Sequence, residues 1–334
     1  MVNGAKRILI VKLSSLGDIL HALPAAHCLK NGLPAEIDWV VHPAYAELVK
    51  CFSDVSRTLV FPRRGAPAEF IRQTRLLRAE QYEMIIDLQG ILKSALVNRL
   101  ARGKQRIGPS FHREGSFLFY TVVAGKKNKN RHAVDEIMDV ARYLHLPLLP
   151  PVFPMNIPFQ LVSEPAPRIA MLPFSRWPSK NWPCASFARA GRELQENLDA
   201  SIYIFGAAGD RPAAAEIARE LNGRAVNLAG KTTLPQLAGL LREMDLVLTN
   251  DSGPMHLAAA FGKPTLALFG PTDPVLTGPY GRNHAVLKGK LHCQPCFSAR
   301  CRFRDNSCMQ TITPETVINT AMDMLGYAVA KERK

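Results

Sequence analysis

Residues 250–274, which read NDSGPMHLAAAFGKPTLALFGPTDP, hold two Gly-Pro corners that could line one small-molecule site. The first corner precedes an apolar helix, and the N–H groups at the positive end of a helix hold anions. We expect the amides from Ser252 to Met255 to bind a diphosphate, with His256 either beside it or packed in an Ala-rich core. The second corner, from Gly270 onward, would form the adjoining wall of this nucleotide-diphosphate pocket.

The first apolar strand leads into KLSSLGDILHALPA, residues 12–25, a turn with several polar side chains. Ser14 or Ser15 can cap the helix that follows, and Gly17 lets a ligand approach the backbone. Asp18 lies in the first helical turn, where the helix dipole keeps a carboxylate ionised. Asp18 is either a stabiliser of the helix start or a catalytic base, and the adjacent glycine favours the base because capping alone does not require it.

Three further turns carry charged or glycine-rich sequences. DLQGILKSA, residues 87–95, places Lys93 near a helix N-terminus, where a lysine is unfavourable unless an anion lies nearby. In PFSRWPSKNWPCASF, residues 173–187, two Trp-Pro pairs bracket Lys180 and either hold it over a phosphate or fill a hinge. GAAGDRPAAAE, residues 206–216, suits a ribose or base contact but lacks the GxGxxG spacing of dinucleotide-binding folds.

These turns fall between segments that alternate as strand and helix. The predicted strands are 8–11, 37–41, 84–88, 168–172, 201–205, 245–249 and 264–269, and the second-half helices are 183–197, 210–222, 234–243 and 254–261. This alternation predicts an α/β protein with parallel sheets, whose ligands bind beyond the carboxyl ends of the strands. A proline-rich segment, 149–167, separates the halves. We predict two doubly wound, Rossmann-like domains facing each other across a cleft, 1–160 and 161–334, with a C-terminal helix that can pack back on the first.

The composition is that of an ordinary globular chain with a basic surface. The 334 residues are 47% hydrophobic and carry a net charge of +14. No apolar run reaches the roughly 18 residues of a membrane span, so we expect a cytoplasmic protein. The charge favours an acidic partner: nucleic acid, an anionic membrane face or a phosphorylated substrate. Basic stretches at 63–78 and 126–136 are either solvated faces or contacts, and their lack of interleaved aromatics argues against a single-strand nucleic-acid binder.

Four of the seven cysteines form a C-x2-C-x4-C-x6-C run at Cys293, Cys296, Cys301 and Cys308. A reducing compartment disfavours disulfides, and four thiolates at this spacing suit a tetrahedral zinc or iron ion. The alternative is a redox-labile loop without metal. Because the run follows the second Gly-Pro corner instead of forming it, a bound metal would be structural.

Five of these motifs together resemble the lipopolysaccharide heptosyltransferases, inverting sugar transferases with the two-domain GT-B architecture. The motifs are KLSSLGDILHALPA, DLQGILKSA, Lys180 before a Trp-Pro pair, NDSGPMHLAAA and GPTDPVLTGPYGRNH. The resemblance implies transfer of L-glycero-D-manno-heptose from ADP-heptose to an inner-core lipopolysaccharide acceptor, either Kdo-lipid A or a core heptose. It implies no cofactor for catalysis, in keeping with the lack of an Asp-x-Asp motif in the chain.

The resemblance also assigns roles to individual residues. Asp18 would accept the proton of the acceptor hydroxyl, which attacks the anomeric carbon opposite ADP, and Lys180 would meet the departing phosphate. The donor-binding set that we infer under this resemblance is Ser15, Gly17, Asp210, Asp251, Ser252, Gly253, Met255 and His256, in which Asp210 is our own candidate for the ribose contact. Arg63, Arg64 and Lys93 would contact the anionic acceptor at the inner membrane face.

Three alternatives stay open on the sequence alone. A GT-B-like nucleotide-sugar epimerase would need acids and a histidine around one donor but no acceptor. A heptosyltransferase could also act on a protein acceptor. A metal-sensing nucleic-acid binder would use the cysteine run and the basic surface, although we expect no nucleic-acid partner. The exact acceptor, the order of heptose addition and the oligomeric state also stay open.

Overall fold

A computed structural model describes residues 6–62, 67–128, 130–221 and 225–327. Contacts divide the chain into two compact units, Met1–Ile157 and Pro158–Lys334. Each unit contains one six-stranded sheet in which neighbouring strands pair in parallel. The predicted α/β class with two Rossmann-like sheets is therefore confirmed.

The first unit has the strand order β3-β2-β1-β4-β5-β6. Its strands are β1 Lys6–Val11, β2 Ala35–Val41, β3 Val55–Val60, β4 Gln81–Asp87, β5 Arg102–Pro109 and β6 Val122–Ala124. Its helices are α1 Leu16–Gly32, α2 Ala46–Val49, α3 Pro67–Arg78, α4 Leu92–Leu100, α5 Ala133–Ile137 and α6 Asp139–Tyr143. Short 3-10 helices lie at Pro43–Tyr45 and Ser116–Phe119.

The second unit has the strand order β12-β11-β10-β7-β8-β9. Its strands are β7 Arg168–Leu172, β8 Ser201–Ile204, β9 Ala225–Asn227, β10 Leu246–Asn250, β11 Thr265–Phe269 and β12 His284–Lys288. Its helices are α7 Cys184–Leu198, α8 Arg211–Arg219, α9 Leu234–Arg242, α10 Gly253–Ala260, α11 Pro274–Thr277, α12 Ser307–Gln310 and α13 Pro314–Met324. Short 3-10 helices lie at Pro178–Lys180 and Ala208–Asp210, and α13 packs against α7, β10 and β11.

Both sheets place their first strand beside their fourth, β1 beside β4 and β7 beside β10. The chain winds outward in opposite directions from this pair, so the carboxyl ends of the two strands flank a switch point, where open α/β sheets bind ligands. The paired strands are apolar and buried, as in Ile8–Val11 and Leu246–Leu248, because helices cover both faces of the sheet. No helix in the described ranges is long and apolar enough to cross a membrane.

Candidate active site

The first-unit switch point carries Asp18, which lies in the first turn of α1 after the N-cap residue Ser15. The N–H and the hydroxyl of Ser15 both donate to Asp18 Oδ2, at 2.8 and 2.6 Å. Gly17 is buried in the same turn, whereas Asp18 and Ser15 are partly exposed. Asp18 therefore stabilises the helix start and also presents a carboxylate at the carboxyl edge of the sheet.

The turn that carries Asp18 is tied to the turn after β4. Gln89 Oε1 accepts hydrogen bonds from the N–H groups of Leu13 and Ser14, each at 3.1 Å. Lys12 is only 3% exposed, and its Nζ donates to the carbonyl of Leu88 at 2.6 Å. These bonds join the ends of two adjacent strands, so they fix the position of the helix start.

Asp87, the last residue of β4, is the buried acid of this switch point. It accepts hydrogen bonds from the N–H groups of Gln89 and Gly90 and from the Tyr120 hydroxyl, at 2.8, 3.0 and 2.8 Å. Burial raises the pKa of Asp87, and these hydrogen bonds oppose that shift. Burial lowers the pKa of Lys12, against the attraction of Asp18 and Asp87. The ammonium of Lys12 thus interacts with both Asp18 and Asp87 and links the two acids of this switch point.

The second-unit switch point is formed by Lys180, after β7, and Asp251, after β10. Lys180 Nζ lies 2.6 Å from Asp251 Oδ2, which also accepts the Thr272 hydroxyl at 2.6 Å. The same ammonium lies 4.6 Å from the centre of the Trp177 ring, within cation–π range. Lys180 is 16% exposed, so its charge can reach a ligand at the edge of the sheet. Lys180 and Asp251, predicted from separate motifs, are therefore neighbours.

Asn250, at the end of β10, holds the Lys180 loop in place. Its Oδ1 accepts from the N–H of Trp182 at 3.1 Å, and its Nδ2 donates to the carbonyl of Pro173 at 2.6 Å. The Trp182 indole donates to the carbonyl of Ile312 at 2.8 Å and is buried. The two Trp-Pro pairs therefore differ, since Trp177 contacts the lysine and Trp182 belongs to the core.

The N-terminus of α10 supplies backbone donors next to Asp251. Ser252 is the N-cap, and its Oγ lies 3.4 Å from the Thr249 hydroxyl without capping the helix. Pro254 occupies the first turn and has no N–H, so the expected run of amides from Ser252 to Met255 is interrupted there. Met255 and His256 are buried on α10. The available anion donors are the N–H groups of Ser252, Gly253 and Met255.

Two of the remaining predicted donor and acceptor residues, Asp210 and Lys93, lie on other turns or helices of the described structure. Asp210 Oδ2 accepts from the N–H of Ala207 at 2.7 Å in the turn after β8, the strand beside β7. Lys93 is exposed near the start of α4, where Glu114 Oε2 accepts the N–H of Leu92 at 3.2 Å. Glu114 therefore places one carboxylate at this helix start, and the predicted acceptor contact of Lys93 stays a prediction. Arg63 and Arg64 lie outside the described residues.

The four cysteines of the run are free thiols with graded exposure. Cys296 is exposed, Cys293 and Cys301 are half-buried, and Cys308 is buried. Burial raises the pKa of the Cys308 thiol, and the three other thiols raise it further. No group of three or more His, Cys, Asp or Glu side chains is arranged to hold a metal ion within the described ranges. The thiols are neighbours, but this arrangement is not a metal site.

The cysteine loop, residues 293–308, contacts both parts of the second-unit switch point. On the Lys180 side, Ser179 Oγ donates to the Ser298 carbonyl at 2.6 Å, and Asn306 Nδ2 donates to the Pro178 carbonyl at 2.8 Å. At the other corner, Gln294 Nε2 donates to the Gly270 carbonyl at 2.6 Å. The loop therefore packs against the 3-10 helix that carries Lys180 and against the second Gly-Pro corner.

Sequence reasoning assigned no role to Lys12, Asp87, Gln89, Asn250 or Thr272. The available signal was position, because each of these polar residues ends or closely follows a central strand. Their partners on neighbouring strands or turns were not readable from the sequence, since pairing order decides which strand ends meet.

Comparison with known proteins identifies the family. Residues 70–306 match the model of glycosyltransferase family 9 (heptosyltransferase). The chain is 30% identical to lipopolysaccharide heptosyltransferase 1 of Pseudomonas aeruginosa over 89% of this chain and 88% of that protein. It is 34% identical to the Salmonella typhimurium protein of the same name, over 83% and 92%. The structure of E. coli heptosyltransferase WaaC with ADP superposes with a TM-score of 0.79 at 26% identity, covering 95% of this chain and 99% of that one. The predicted resemblance is confirmed, and the chain belongs to glycosyltransferase family 9, the heptosyltransferases.

Proposed function

We propose that this enzyme transfers L-glycero-D-manno-heptose from ADP-heptose to an inner-core lipopolysaccharide sugar, with inversion at the anomeric carbon. The observation that carries the proposal is the Lys180–Asp251–Thr272 cluster beside the α10 N-terminus. A cation and backbone donors at a switch point are what a departing diphosphate requires. The relatives named as lipopolysaccharide heptosyltransferases and the ADP in the WaaC structure support the donor and the acceptor class.

On the donor side, Lys180 is the group that stabilises the leaving ADP. Asp251 and Trp177 hold its ammonium in place before the diphosphate develops further charge. The N–H groups of Gly253 and Met255 add two fixed donors at the positive end of α10. Each preorganised donor of this kind contributes on the order of 3 kcal/mol to transition-state stabilisation. Asp210 is our candidate for the ribose contact.

On the acceptor side, Asp18 accepts the proton of the attacking hydroxyl. Ser15 fixes one carboxylate oxygen through two hydrogen bonds, so the carboxylate has a defined direction. Lys93, Arg63 and Arg64 are our candidates for the anionic groups of the acceptor.

Substitution of Asp18 by Asn tests this division of roles. Transfer should fall at least about 1,000-fold because the hydroxyl proton loses its acceptor, while the dissociation constant for ADP stays within about 3-fold. NMR of the wild-type product should show inverted anomeric configuration. Asp54→Asn is the matched control, since Asp54 is a half-buried acid of the same unit that pairs with His27. A loss of ADP affinity with turnover intact would contradict the assignment of the base.

A panel of acceptors separates the remaining choices. Kdo-lipid A, a heptosylated core and a protein acceptor, each offered with ADP-heptose, should give transfer only to a lipopolysaccharide sugar. Consumption of ADP-heptose without any acceptor would favour the epimerase. Because the proposed lipopolysaccharide acceptor is a lipid, we also propose that the enzyme works at an anionic membrane face. We propose no nucleic-acid partner.

We further propose that the thiols of Cys293, Cys296, Cys301 and Cys308 bind one structural zinc or iron ion. Their spacing and mutual proximity support this, although the loop would have to close around the ion, since the described arrangement holds no metal site. Protein purified without added metal should contain about one ion per chain, and Cys296→Ser should lose it. Cys51→Ser, outside the run, is the control, and a stable metal-free wild type would contradict the proposal.

A further inference from the structure

Large apolar side chains are exposed on three neighbouring elements of the first unit. On α3, Phe70 and Ile71 are each 50% exposed and Leu76 is 47% exposed. On α4 the exposed residues are Leu92 and Leu96. On the 3-10 helix Ser116–Phe119 they are Phe117 and Leu118. Solvent exposure of isolated apolar residues is ordinary, but a contiguous group marks an interaction surface.

These three elements pack one against the next, and we call their exposed side the α3–α4 face. Helix α3 packs against α4, and α4 packs against the 3-10 helix at Ser116–Phe119. A groove of about 430 Å³ runs along α3, with Phe70, Ile71, Arg75 and Arg78 in its lining. The inner side of α3, by contrast, buries Gln73 and Leu77 against the unit. Helix α3 therefore has an apolar side toward the core and a second apolar group directed outward.

Positive charge surrounds the exposed apolar groups. Arg72, Arg75 and Arg78 are exposed on α3, and Lys93 and Arg99 are exposed on α4. The acid that closely follows α3, Glu80, is paired with Arg7 and Arg57 and does not neutralise the α3 arginines. Among the residues that the structure describes, no ion pair involves Arg72, Arg75 or Arg78.

We propose that the α3–α4 face is a docking surface for an anionic lipid bilayer. The proposal rests on the proposed function, because it names the partner on which a lipid acceptor would be presented. Apolar side chains flanked by arginines enter the headgroup region of a membrane, where each cation near the surface contributes about 5-fold to binding. Lys93, our acceptor candidate, lies on the same face and would meet a lipid-borne sugar there.

The charge pattern selects a bilayer over a second copy of the chain. In a two-fold symmetric dimer through this face, the same patch would meet itself, and arginines would be placed against arginines. A bilayer with anionic headgroups instead supplies the charge opposite to the exposed arginines and Lys93, which outnumber the acids Glu69 and Glu114 of this face. The occupant that complements both the apolar and the cationic groups is therefore a membrane.

Vesicle sedimentation tests the docking surface. Wild-type enzyme should bind vesicles of phosphatidylcholine with 30 mol% phosphatidylglycerol (about one anionic lipid in three) and should bind pure phosphatidylcholine at least about 10-fold more weakly. The triple variant Arg72→Glu, Arg75→Glu and Arg78→Glu should lose about 100-fold in binding to the anionic vesicles. The variant Ile71→Ser, Leu96→Ser and Leu118→Ser, which leaves the charges intact, should lose about 10-fold.

Matched controls carry the same changes elsewhere. Arg219→Glu, Lys288→Glu and Lys290→Glu reverse three exposed charges of the second unit, and Phe159→Ser with Leu161→Ser removes two strongly exposed apolar groups. Both controls should bind anionic vesicles within about 3-fold of wild type, since surface contributions outside the face are small. Equal losses in the controls, or wild-type binding by the α3–α4 variants, would overturn the proposal.

Two further measurements separate the docking surface from the proposed function and from a dimer interface. An acceptor without acyl chains should be glycosylated at the wild-type rate by the Ile71, Leu96 and Leu118 variant, and transfer to the vesicle-bound acceptor should fall with vesicle binding. Failure of all transfer with vesicle binding intact would reject the proposed function and leave the docking surface standing. A dimer in sedimentation velocity that these variants dissociate would assign the face to a second copy and overturn the bilayer.

Discussion

The two units share one strand order, yet their switch points hold a lysine in opposite ways. Lys12 is buried and donates to a backbone carbonyl, whereas Lys180 is partly exposed between a carboxylate and an indole ring. The first lysine joins two strand ends, and the second keeps its charge at the surface of the sheet. A position at the carboxyl edge thus permits either role, and the partner of the ammonium decides which one is used.

A polar clamp accompanies each lysine. In the first unit Gln89, after the fourth strand, accepts two N–H groups of the loop after β1. In the second unit Asn250, at the end of the fourth strand, bonds to the loop after β7 through both atoms of its amide. Equivalent strands therefore supply the same device, a side-chain amide that fixes the loop on which the candidate catalytic residue stands.

The largest expected effect is on the stability of the first switch point. Lys12→Met leaves the Leu88 carbonyl without its donor and Asp87 buried without the nearby cation, so the free energy of unfolding should fall by about 3 to 5 kcal/mol. Denaturant unfolding measures this change. Lys104→Met, an exposed lysine paired with Glu83, is the control and should cost at most about 1 kcal/mol. Equal losses in Lys12→Met and Lys104→Met would show that the buried contacts of Lys12 add no stability.

The second lysine should affect catalysis as well as stability. Lys180→Met should lower kcat about 100-fold and weaken ADP binding about 10-fold, because the leaving diphosphate loses its cation. The free energy of unfolding should also fall, by about 2 to 3 kcal/mol, because the side chain of Asp251 is only 5% exposed and loses its ion pair while keeping the Thr272 hydroxyl as a donor. Steady-state kinetics and ADP titration measure these values, with Lys263→Met as the control. Wild-type kcat and ADP affinity in Lys180→Met would contradict the catalytic role assigned to this lysine.

Substitutions of the two clamp residues, Asn250 and Gln89, should have the next largest effects. Asn250→Leu removes two hydrogen bonds of a fully buried amide and should cost about 2 to 3 kcal/mol of unfolding free energy. Gln89→Leu acts at a half-buried site and should cost about 1 kcal/mol while lowering kcat about 10-fold through a looser Asp18 turn. Calorimetry and kinetics on the two variants measure both quantities. The reverse order of stability losses would show that the clamps are not equivalent.

The smallest expected effect is a change in pH dependence at Asp87. Burial raises the folded-state pKa of Asp87 above the ordinary 3.8, so its carboxyl group binds more protons in the folded protein than in the unfolded one. The stability that Asp87 contributes is therefore lost as the pH rises through the raised pKa. Tyr120→Phe removes a hydrogen bond that opposes the shift, so the loss should extend to higher pH and reach about 1 kcal/mol. Unfolding measured from acid to neutral pH tests this, and a profile that coincides with wild type would show that the Tyr120 bond does not act on Asp87.

The sequence predicted the central strands well because burial on both faces leaves a continuous apolar run. All of β1, β4, β7, β10 and β11 were recognised in this way. The strands it left out are shorter or more polar. Strand β3 includes Arg57, β5 reads RGKQRIGP, and β6 and β9 have three residues each. Such strands lie toward the sheet edges, where one face or one side is exposed and periodicity is weak.

The residues of the candidate site also differ in how far the sequence predicts them. Local turn chemistry predicted Asp18, Lys180 and the start of α10, because glycine and polar residues after a strand are visible in the sequence. Partners that depend on strand order, such as Thr272 for Asp251, were not predictable, since the two lie on different turns that meet only when β10 and β11 pair. Tyr120 reaches Asp87 across Gly108, where any side chain would overlap its ring, a contact that no local pattern records.

The cysteine loop has a consequence for engineering this enzyme. The Ser298 carbonyl and the side-chain amides of Gln294 and Asn306 support the turn with Lys180 and the corner at Gly270. The loop nevertheless comes more than a hundred residues after Lys180. In a chimaera, the nucleotide-binding half could be taken from another transferase. If that graft ended before residue 293, the Lys180 turn would come from one parent and the cysteine loop that supports it from the other. The graft should therefore extend through residue 310, so that the lysine and its support come from one parent.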